Sequence, residues 1–169
     1  MRKSVVLALA PLACGLALAA PPAKAPAKPA AKPAAKPAAE APLPEGCIRV
    51  QHVLIAFEGS AKIGENYKGV TEEQARKLAE EVLEKAKKGA DFTALVKKYT
   101  ADRVPGKPPA AGIYGMCPND PAPEGFVPRT KMVPAFGDVS FSLKPGEIGM
   151  APYDPKTSPY GWHIIKRLK

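Results

Sequence analysis

The last thirteen residues of the sequence read "TSPYGWHIIKRLK", residues 157–169. The apolar run of this stretch ends in basic residues, which is typical of a short strand, and His163 lies in the middle of it. The chain has two histidines, and the other, His52, lies within "CIRVQHVLIAF", residues 47–57. The period-two pattern of that segment also predicts a strand. Two distant segments bring their histidines together only if their strands are neighbours, so we expect these strands to be adjacent.

Helical patterns fill much of the sequence between the two strands. The segment at residues 71–89 has an apolar stripe of helical period, a capping box made by Thr71 and Gln74, and a terminating Gly89. A second, shorter helix is predicted at residues 91–100, with Asp91 as its N-cap. Two independent start signals therefore mark two consecutive helices.

The C-terminal half of the domain has a looser pattern. The segment "MVPAFGDVSFSL", residues 132–143, predicts a third helix with Pro134 in its first turn. A brief strand is predicted at Ile113–Met116, and another strand follows the turn at residues 144–146. The order β-α-α-β-α-β-β predicts an α+β domain. We expect a small, mainly antiparallel four-stranded sheet surrounded by three to four helices.

The N-terminus carries an export pattern. Arg2 and Lys3 precede an uncharged run, and Ala17-Leu18-Ala19 fits an A-x-A cleavage site, so residues 1–19 are predicted to be a signal peptide. A second interpretation takes Cys14 as a lipid-modified cysteine of a lipoprotein; Pro11 stands where such signals usually have Leu. We expect an exported protein of the periplasm or cell envelope.

Residues 20–45 are almost entirely Ala, Pro and Lys, with a loose A-K-P-A repeat. A segment with so few large apolar residues cannot offset its ordering entropy, and its prolines make it a semi-rigid spacer. Its lysines would bring the protein near an anionic membrane or the cell wall, and a solvated tether is the alternative. The folded domain is expected to occupy residues 46–169.

Charge excludes one class of function. The whole chain carries a formal charge of +9, but six basic residues and Glu40 precede residue 41, so the remainder carries +4. The domain has no run of Arg or Lys and no aromatic platform for bases, so nucleic-acid binding is not expected. No cofactor motif is present either, and we expect a monomer without cofactors.

Cys47 and Cys117 are the two cysteines outside the predicted signal peptide. Two cysteines in an exported domain suggest one disulfide. If the strand that follows Cys47 pairs antiparallel with the one that ends before Cys117, the two cysteines meet. Two free thiols are the alternative. A zinc site is disfavoured, because no C-x-x-C or H-x-x-x-H spacing occurs.

The order of these motifs resembles the parvulin family of peptidyl-prolyl cis/trans isomerases. The matching pieces cover most of residues 48–169, and "MVPAFGDVSFSLKPGEIG" and "YGWHII" are the most specific of them. The resemblance implies that His52 and His163 form the paired histidines of the site. It also implies that Asp102 and Ser158 complete a polar cluster.

The resemblance further assigns the proline pocket. Met132 and Phe136 match its apolar wall, and Tyr114 stands where the family usually has Leu. Phospho-specific parvulins carry a basic cluster in the loop after the first strand. Here Lys62 and Lys68 are opposed by Glu58 and Glu65, so a phosphate-binding role is not expected.

The expected function is therefore peptidyl-prolyl isomerisation that assists the folding of exported or envelope proteins. The partners would be proline-containing unfolded or extended polypeptides. A non-catalytic chaperone or adaptor with the same fold, which binds unfolded chains, is the alternative. It remains open because a proline-rich stretch between Gly115 and Met132 is longer than is typical of the family.

Overall fold

The computed structural model describes residues 43–102 and 112–169, which belong to one compact unit, Ala41–Lys169. The predicted signal peptide, Cys14 and all but the last residues of the Ala/Pro/Lys segment lie outside the described residues. Within these two ranges, no helix is both long and apolar enough to cross a membrane.

Five strands and three α-helices make up the described fold. In chain order they are β1 (Ile48–Ile55), α1 (Glu72–Lys87), α2 (Phe92–Tyr99), β2 (Ile113–Cys117), β3 (Val127–Pro128), α3 (Pro134–Ser142), β4 (Ile148–Ala151) and β5 (Trp162–Arg167). Short 3₁₀ turns at Glu65–Tyr67 and Arg129–Lys131 precede α1 and α3. The predicted α+β class and the order of its elements are confirmed.

The strands form one sheet in the order β3-β2-β1-β5-β4. All neighbours pair antiparallel except β2 and β3, which are parallel. The sheet has five strands, so the expected count of four was wrong. The additional strand is the two-residue β3 in the proline-rich segment, and two residues are too few to give a periodic pattern.

The helices begin where their sequence signals predict. The Thr71 side chain accepts from the Gln74 backbone N–H, and the Gln74 side chain accepts from the Thr71 backbone N–H, so the capping box is complete. The Asp91 carboxylate caps α2 by accepting from the N–H groups of Thr93 and Ala94. Each cap satisfies N–H groups that a helix start leaves without intrahelical partners.

The sheet separates two hydrophobic clusters. On the α1–α2 face, Val53 and Ile55 of β1 and Trp162 and Ile164 of β5 pack in the larger cluster with residues of α1 and α2. On the α3 face, Ile48 and Val50 of β1 and Ile165 of β5 pack with residues of α3. Successive side chains of a strand point to opposite faces. His52 and His163 therefore share the α3 face.

Two features hold β1 to its neighbours. A disulfide joins Cys47 to Cys117, at the end of the register in which Ile48 lies opposite Met116. At the start of β5, Gly161 has φ +130°, and a Cβ at this position would lie 2.1 Å from the carbonyl oxygen of Ile55. Only glycine permits this approach, which sets the separation of β1 and β5 beside the histidines.

Candidate active site

A cavity of about 240 Å³ lies on the α3 face of the sheet. Its wall combines apolar and polar side chains. The residues that line it are His52, Leu54, Lys62, Asp102, Tyr114, Met132, Val133, Phe136, Tyr160 and His163. Six of the seven residues expected in the catalytic or substrate-binding site, all except Ser158, thus border one space, although they come from widely separated parts of the chain.

The two histidines meet across β1 and β5. In this register Leu54 lies opposite His163 and His52 lies opposite Ile165, so the histidines are diagonal neighbours. Their rings are nearly parallel, with centroids 5.5 Å apart, and the two Nδ1 atoms are 3.4 Å apart. The prediction that the histidines lie on adjacent strands and contact each other is confirmed. Both residues are only 4% exposed, so the contact takes place away from bulk water.

Asp102 closes the polar half of the cavity. Its Oδ2 accepts a hydrogen bond of 2.9 Å from the Tyr114 hydroxyl and lies 3.6 Å from Nε2 of His52. Its Oδ1 forms an ion pair with the Lys62 ammonium. The Asp102 backbone N–H donates to the Thr100 hydroxyl, which also accepts from Leu54 N–H, so this segment is tied to β1.

These contacts favour one direction of proton donation between the two histidines. An anionic Asp102 carboxylate favours a proton on Nε2 of His52, because a charge attracts the positive end of an N–H dipole. Nδ1 of His52 then carries a lone pair, and His163 donates from its own Nδ1. Nε2 of His163 is left unprotonated. That atom is buried and has no hydrogen-bond partner among the described residues.

The pKa values agree with this arrangement. The facing His52 imidazole, the Lys62 ammonium and the Tyr114 hydroxyl hold the pKa of Asp102 well below its usual range. Burial, helped by repulsion from His52, lowers the pKa of His163 to about 3. Burial and the neighbouring Asp102 charge raise the pKa of Tyr114 to about 12. At neutral pH the site therefore holds an ionised Asp102, a neutral His163 and a protonated Tyr114.

The start of α3 supplies the apolar half. Ala135 N–H donates to the carbonyl of Thr157, which fixes the first turn of α3 beside the segment that leads into β5. The Phe136 ring lies 5.2 Å from each histidine ring, measured between centroids. Met132 and Val133 extend this wall. The ring of Phe136 thus contacts both histidines and belongs to the hydrophobic cluster on the α3 face.

Ser158 is placed differently from the other site residues. Its buried hydroxyl donates 3.0 Å to the carbonyl of Gly161, within the turn that precedes β5. It does not line the cavity, and the two histidines contact each other directly. Ser158 therefore shapes the turn that delivers His163.

Sequence reasoning missed four residues of the cavity wall: Leu54, Lys62, Val133 and Tyr160. In the sequence, the charge of Lys62 is balanced by Glu58 and Glu65 of the same loop. In the structure the Glu58 carboxylate accepts from Gly69 N–H, and Glu65 pairs with Lys68. Lys62 instead reaches Asp102, 40 residues away along the chain, and no local pattern marks that contact.

Comparison with known proteins gives consistent findings. The family described as "PPIC-type PPIASE domain" matches residues 38–169. The foldase protein PrsA of Geobacillus sp. (strain WCH70) is 40% identical over 90 residues, covering 53% of this chain and 27% of that protein. The chaperone SurA of Alkalilimnicola ehrlichii is 29% identical over 118 residues, covering 70% of this chain and 22% of that protein.

A solved structure supports the fold. The peptidyl-prolyl isomerase ESS1 from Candida albicans superposes with a TM-score of 0.54 at 20% identity, covering 75% of this chain and 66% of that one. The region that matches PrsA and SurA is less than a third of the length of either of those two relatives.

Proposed function

Because the chain belongs to the family of PpiC-type peptidyl-prolyl cis/trans isomerase domains, we propose that it catalyses cis/trans isomerisation of X-Pro bonds in exported polypeptides. The observation that carries this proposal is the divided cavity, in which an apolar wall from α3 faces the Asp102, His52 and His163 chain. Relatives called foldase and chaperone support a role in protein folding.

The reaction requires no covalent step. Rotation about a peptide bond crosses a barrier of roughly 18–20 kcal/mol, which comes from the double-bond character of C–N. An X-Pro bond isomerises in tens to hundreds of seconds at 25 °C without a catalyst. A catalyst lowers the barrier by binding the twisted amide more tightly than either planar isomer.

The apolar wall would bind the proline ring. Met132, Val133 and Phe136 offer a surface for its methylene groups. Burial of apolar area stabilises this contact by about 25 cal/mol per Å². The ring would then be held while the chain on the N-terminal side of the bond rotates.

The polar wall would favour the twisted amide. A planar amide is strongly polarised by resonance, and twisting removes that charge separation. A buried wall of low net charge therefore disfavours the planar form relative to the twisted one. Burial keeps His163 neutral, and Lys62 offsets the charge of Asp102. In the twisted state, protein dipoles near the cavity replace water around the carbonyl and the prolyl nitrogen.

Each polar residue has a distinct part in this proposal. Asp102 and His52 hold the tautomers, and His163 completes the polar wall beside them. Tyr114 narrows the cavity and fixes Asp102. Ser158 is a positioning residue in the turn before β5.

A protease-coupled assay tests the proposal. The chain lacking residues 1–19 is mixed with Ala-X-Pro-Phe p-nitroanilides of varied X, and the slow cis fraction is followed. We expect acceleration above the uncatalysed rate, and a lower kcat/KM for His52→Ala and His163→Ala variants that remain folded. A folded wild-type protein that accelerates no peptide contradicts catalysis.

The alternative is a binding module that holds unfolded chains without isomerising them. The similarity to SurA, which is named a chaperone, supports this second candidate. Peptide binding measured by fluorescence anisotropy, combined with the protease-coupled assay, distinguishes the isomerase from the binding module. Binding with no acceleration favours the chaperone, and binding with acceleration favours the isomerase.

A further inference from the structure

Lys62 is a charged residue of the cavity wall that the proposed reaction does not use directly. Its ammonium pairs with Oδ1 of Asp102, while Oδ2 of the same carboxylate faces Tyr114 and His52. The lysine thus occupies one carboxylate oxygen and leaves the other to the tyrosine and the histidine.

The loop that carries Lys62 is held in place rather than free. Ala61 N–H donates to the carbonyl of Pro159, close to the start of β5. The Ser60 hydroxyl lies within hydrogen-bond distance of two carbonyl oxygens, 2.8 Å from that of Phe57 and 3.2 Å from that of Lys62, and its one proton bonds to either of them. Gly64 packs so closely on Ala101 that a Cβ would lie 3.1 Å from its carbonyl oxygen. The loop therefore rests on the segment that carries Asp102.

The acidic residues of that loop do not compete for the lysine. Glu58 accepts from Gly69 N–H and Glu65 pairs with Lys68. The groups that face Asp102 are Lys62 from this loop, His52 from β1 and Tyr114 from β2, with His163 of β5 behind His52. Among the described residues, Lys62 is thus the permanent positive charge beside the carboxylate.

We propose that Lys62 is a positioning residue of the isomerase site: by holding Oδ1 of Asp102, it orients Oδ2 toward His52 and so fixes the tautomers of both histidines. This inference rests on the proposed function. Without the lysine the carboxylate is held by Tyr114 at Oδ2 and no longer by a partner at Oδ1, so rotation about its Cβ–Cγ bond becomes easier. The preference for a proton on Nε2 of His52 then weakens, and the donation from His163 weakens with it.

The first test reads the histidines directly. The chain has two histidines, so ¹H–¹⁵N long-range correlation spectra of the imidazoles are simple to assign. At pH 7 we expect wild type to show one tautomer for each ring, with the proton on Nε2 of His52 and on Nδ1 of His163. Lys62→Met should give averaged nitrogen shifts in both rings, and Lys62→Arg should restore the wild-type pattern.

Lys68→Met is the matched control. It removes the same charge from the same loop, but Lys68 pairs with Glu65 and lies outside the cavity. We expect wild-type histidine spectra and wild-type kcat/KM for this variant. Thermal unfolding of each variant checks that the fold is retained.

The second test reads the reaction. Lys62→Met should lower kcat/KM for an X-Pro peptide roughly fivefold, as expected for one partly exposed ion pair. In an Asp102→Asn background the same substitution should have no further effect, because Lys62 acts through Asp102. Two effects that multiply independently would overturn this route of action.

The outcomes separate the two proposals. If wild type accelerates no peptide, the proposed function fails, and the imidazole spectra still decide whether Lys62 fixes the tautomers. Wild-type tautomers in Lys62→Met overturn the positioning role. Averaged tautomers with an unchanged kcat/KM, in an active enzyme, overturn its relevance to the reaction.

Discussion

The two faces of the sheet use the same strands for different purposes. On the α1–α2 face, β1 and β5 present Val53, Ile55, Trp162 and Ile164, and helices cover them. On the α3 face, the same strands present His52 and His163, and α3 covers the sheet only in part, so that a cavity remains. The period of two along each strand is what allows one sheet to be both core and site.

Burying the two histidines on the α3 face has a free-energy cost. Buried imidazoles without full hydrogen bonding cost free energy of folding, on the order of 1–3 kcal/mol each. Nε2 of both histidines lacks a hydrogen-bond partner among the described residues. The apolar α1–α2 face contributes stability that offsets this cost, so substitutions on the two faces should give different results.

Gly161→Ala should cause the largest loss of stability, because the added methyl group would push apart β1 and β5, the two strands that both faces share. The added Cβ would meet backbone, the carbonyl oxygen of Ile55, and the residue would keep φ +130°. Strain and overpacking together should lower the free energy of unfolding by about 4 kcal/mol or more. Urea denaturation measures it.

Gly146→Ala is the matched control for that substitution. Gly146 also has a positive φ, +89°, but a Cβ there would meet nothing within 4 Å. The expected loss is about 1 kcal/mol, from the backbone conformation alone. Equal losses at the two positions would show that the close approach of β1 and β5 is not what requires glycine.

Reduction of the Cys47–Cys117 disulfide should cause the next largest loss of stability. The bond closes a separation of 70 residues, and the chain-entropy relation gives about 4 kcal/mol of stabilisation for such a loop. Both faces should lose stability together, because the bond acts on the unfolded chain. Urea denaturation with and without a reductant measures the difference, and titration of the denatured, unreduced protein should find no reactive thiol from this pair.

Ile164→Ala and Phe136→Ala separate the two faces. Ile164 is fully buried against the α1–α2 cluster, so its truncation should cost about 3 kcal/mol. The kcat/KM of the folded protein should change little. Phe136→Ala removes a ring from the cavity wall. It should therefore raise KM for X-Pro peptides as well as lower stability. Unchanged kinetics for Phe136→Ala would remove that ring from the binding wall.

The pH dependence of stability isolates the α3 face. Burial lowers the pKa of His163 from 6.5 to about 3. Between these values the unfolded chain takes up a proton that the folded chain refuses, so stability is lost as pH falls below 6.5 and is present above it. From pH 7 to pH 5 this should cost about 2 kcal/mol.

Asp102 does not contribute in that window. Its pKa is lowered from 3.8, so its stabilising effect is lost only at more acidic pH. His163→Leu should therefore flatten the dependence between pH 7 and pH 5, as measured by urea denaturation at each pH. An unchanged slope in His163→Leu would mean that other groups produce it.

The fold was predictable because its signals are local. The capping box at Thr71, the Asp91 cap and the alternation along β1 each depend on a few neighbouring residues. The histidine pair was also predictable, because two apolar strands each carried a histidine that their pattern did not need. β3 gave no signal, since two residues show no period.

The cavity wall was harder to predict for a physical reason. Lys62 and Tyr160 lie in loops, where side-chain direction depends on tertiary contacts such as the Ala61 to Pro159 hydrogen bond. The sequence shows only that Glu58 and Glu65 balance the charge of the loop lysines; in the structure the Glu58 carboxylate accepts from Gly69 N–H and Glu65 pairs with Lys68. Ser158 has the expected residue type, and the hydroxyl turns to Gly161 instead of the histidines.

The most direct measurement is two-dimensional exchange NMR of an Ala-Pro peptide mixed with the ¹⁵N-labelled chain lacking residues 1–19. We predict cis–trans exchange cross-peaks for the peptide on the timescale of seconds or faster, where the free peptide shows none. We also predict amide shift changes centred on the α3 face, at Met132, Phe136 and His163, and not on α1. Absence of exchange cross-peaks with a folded, peptide-saturated protein, or shift changes centred on the α1–α2 face, would contradict these predictions.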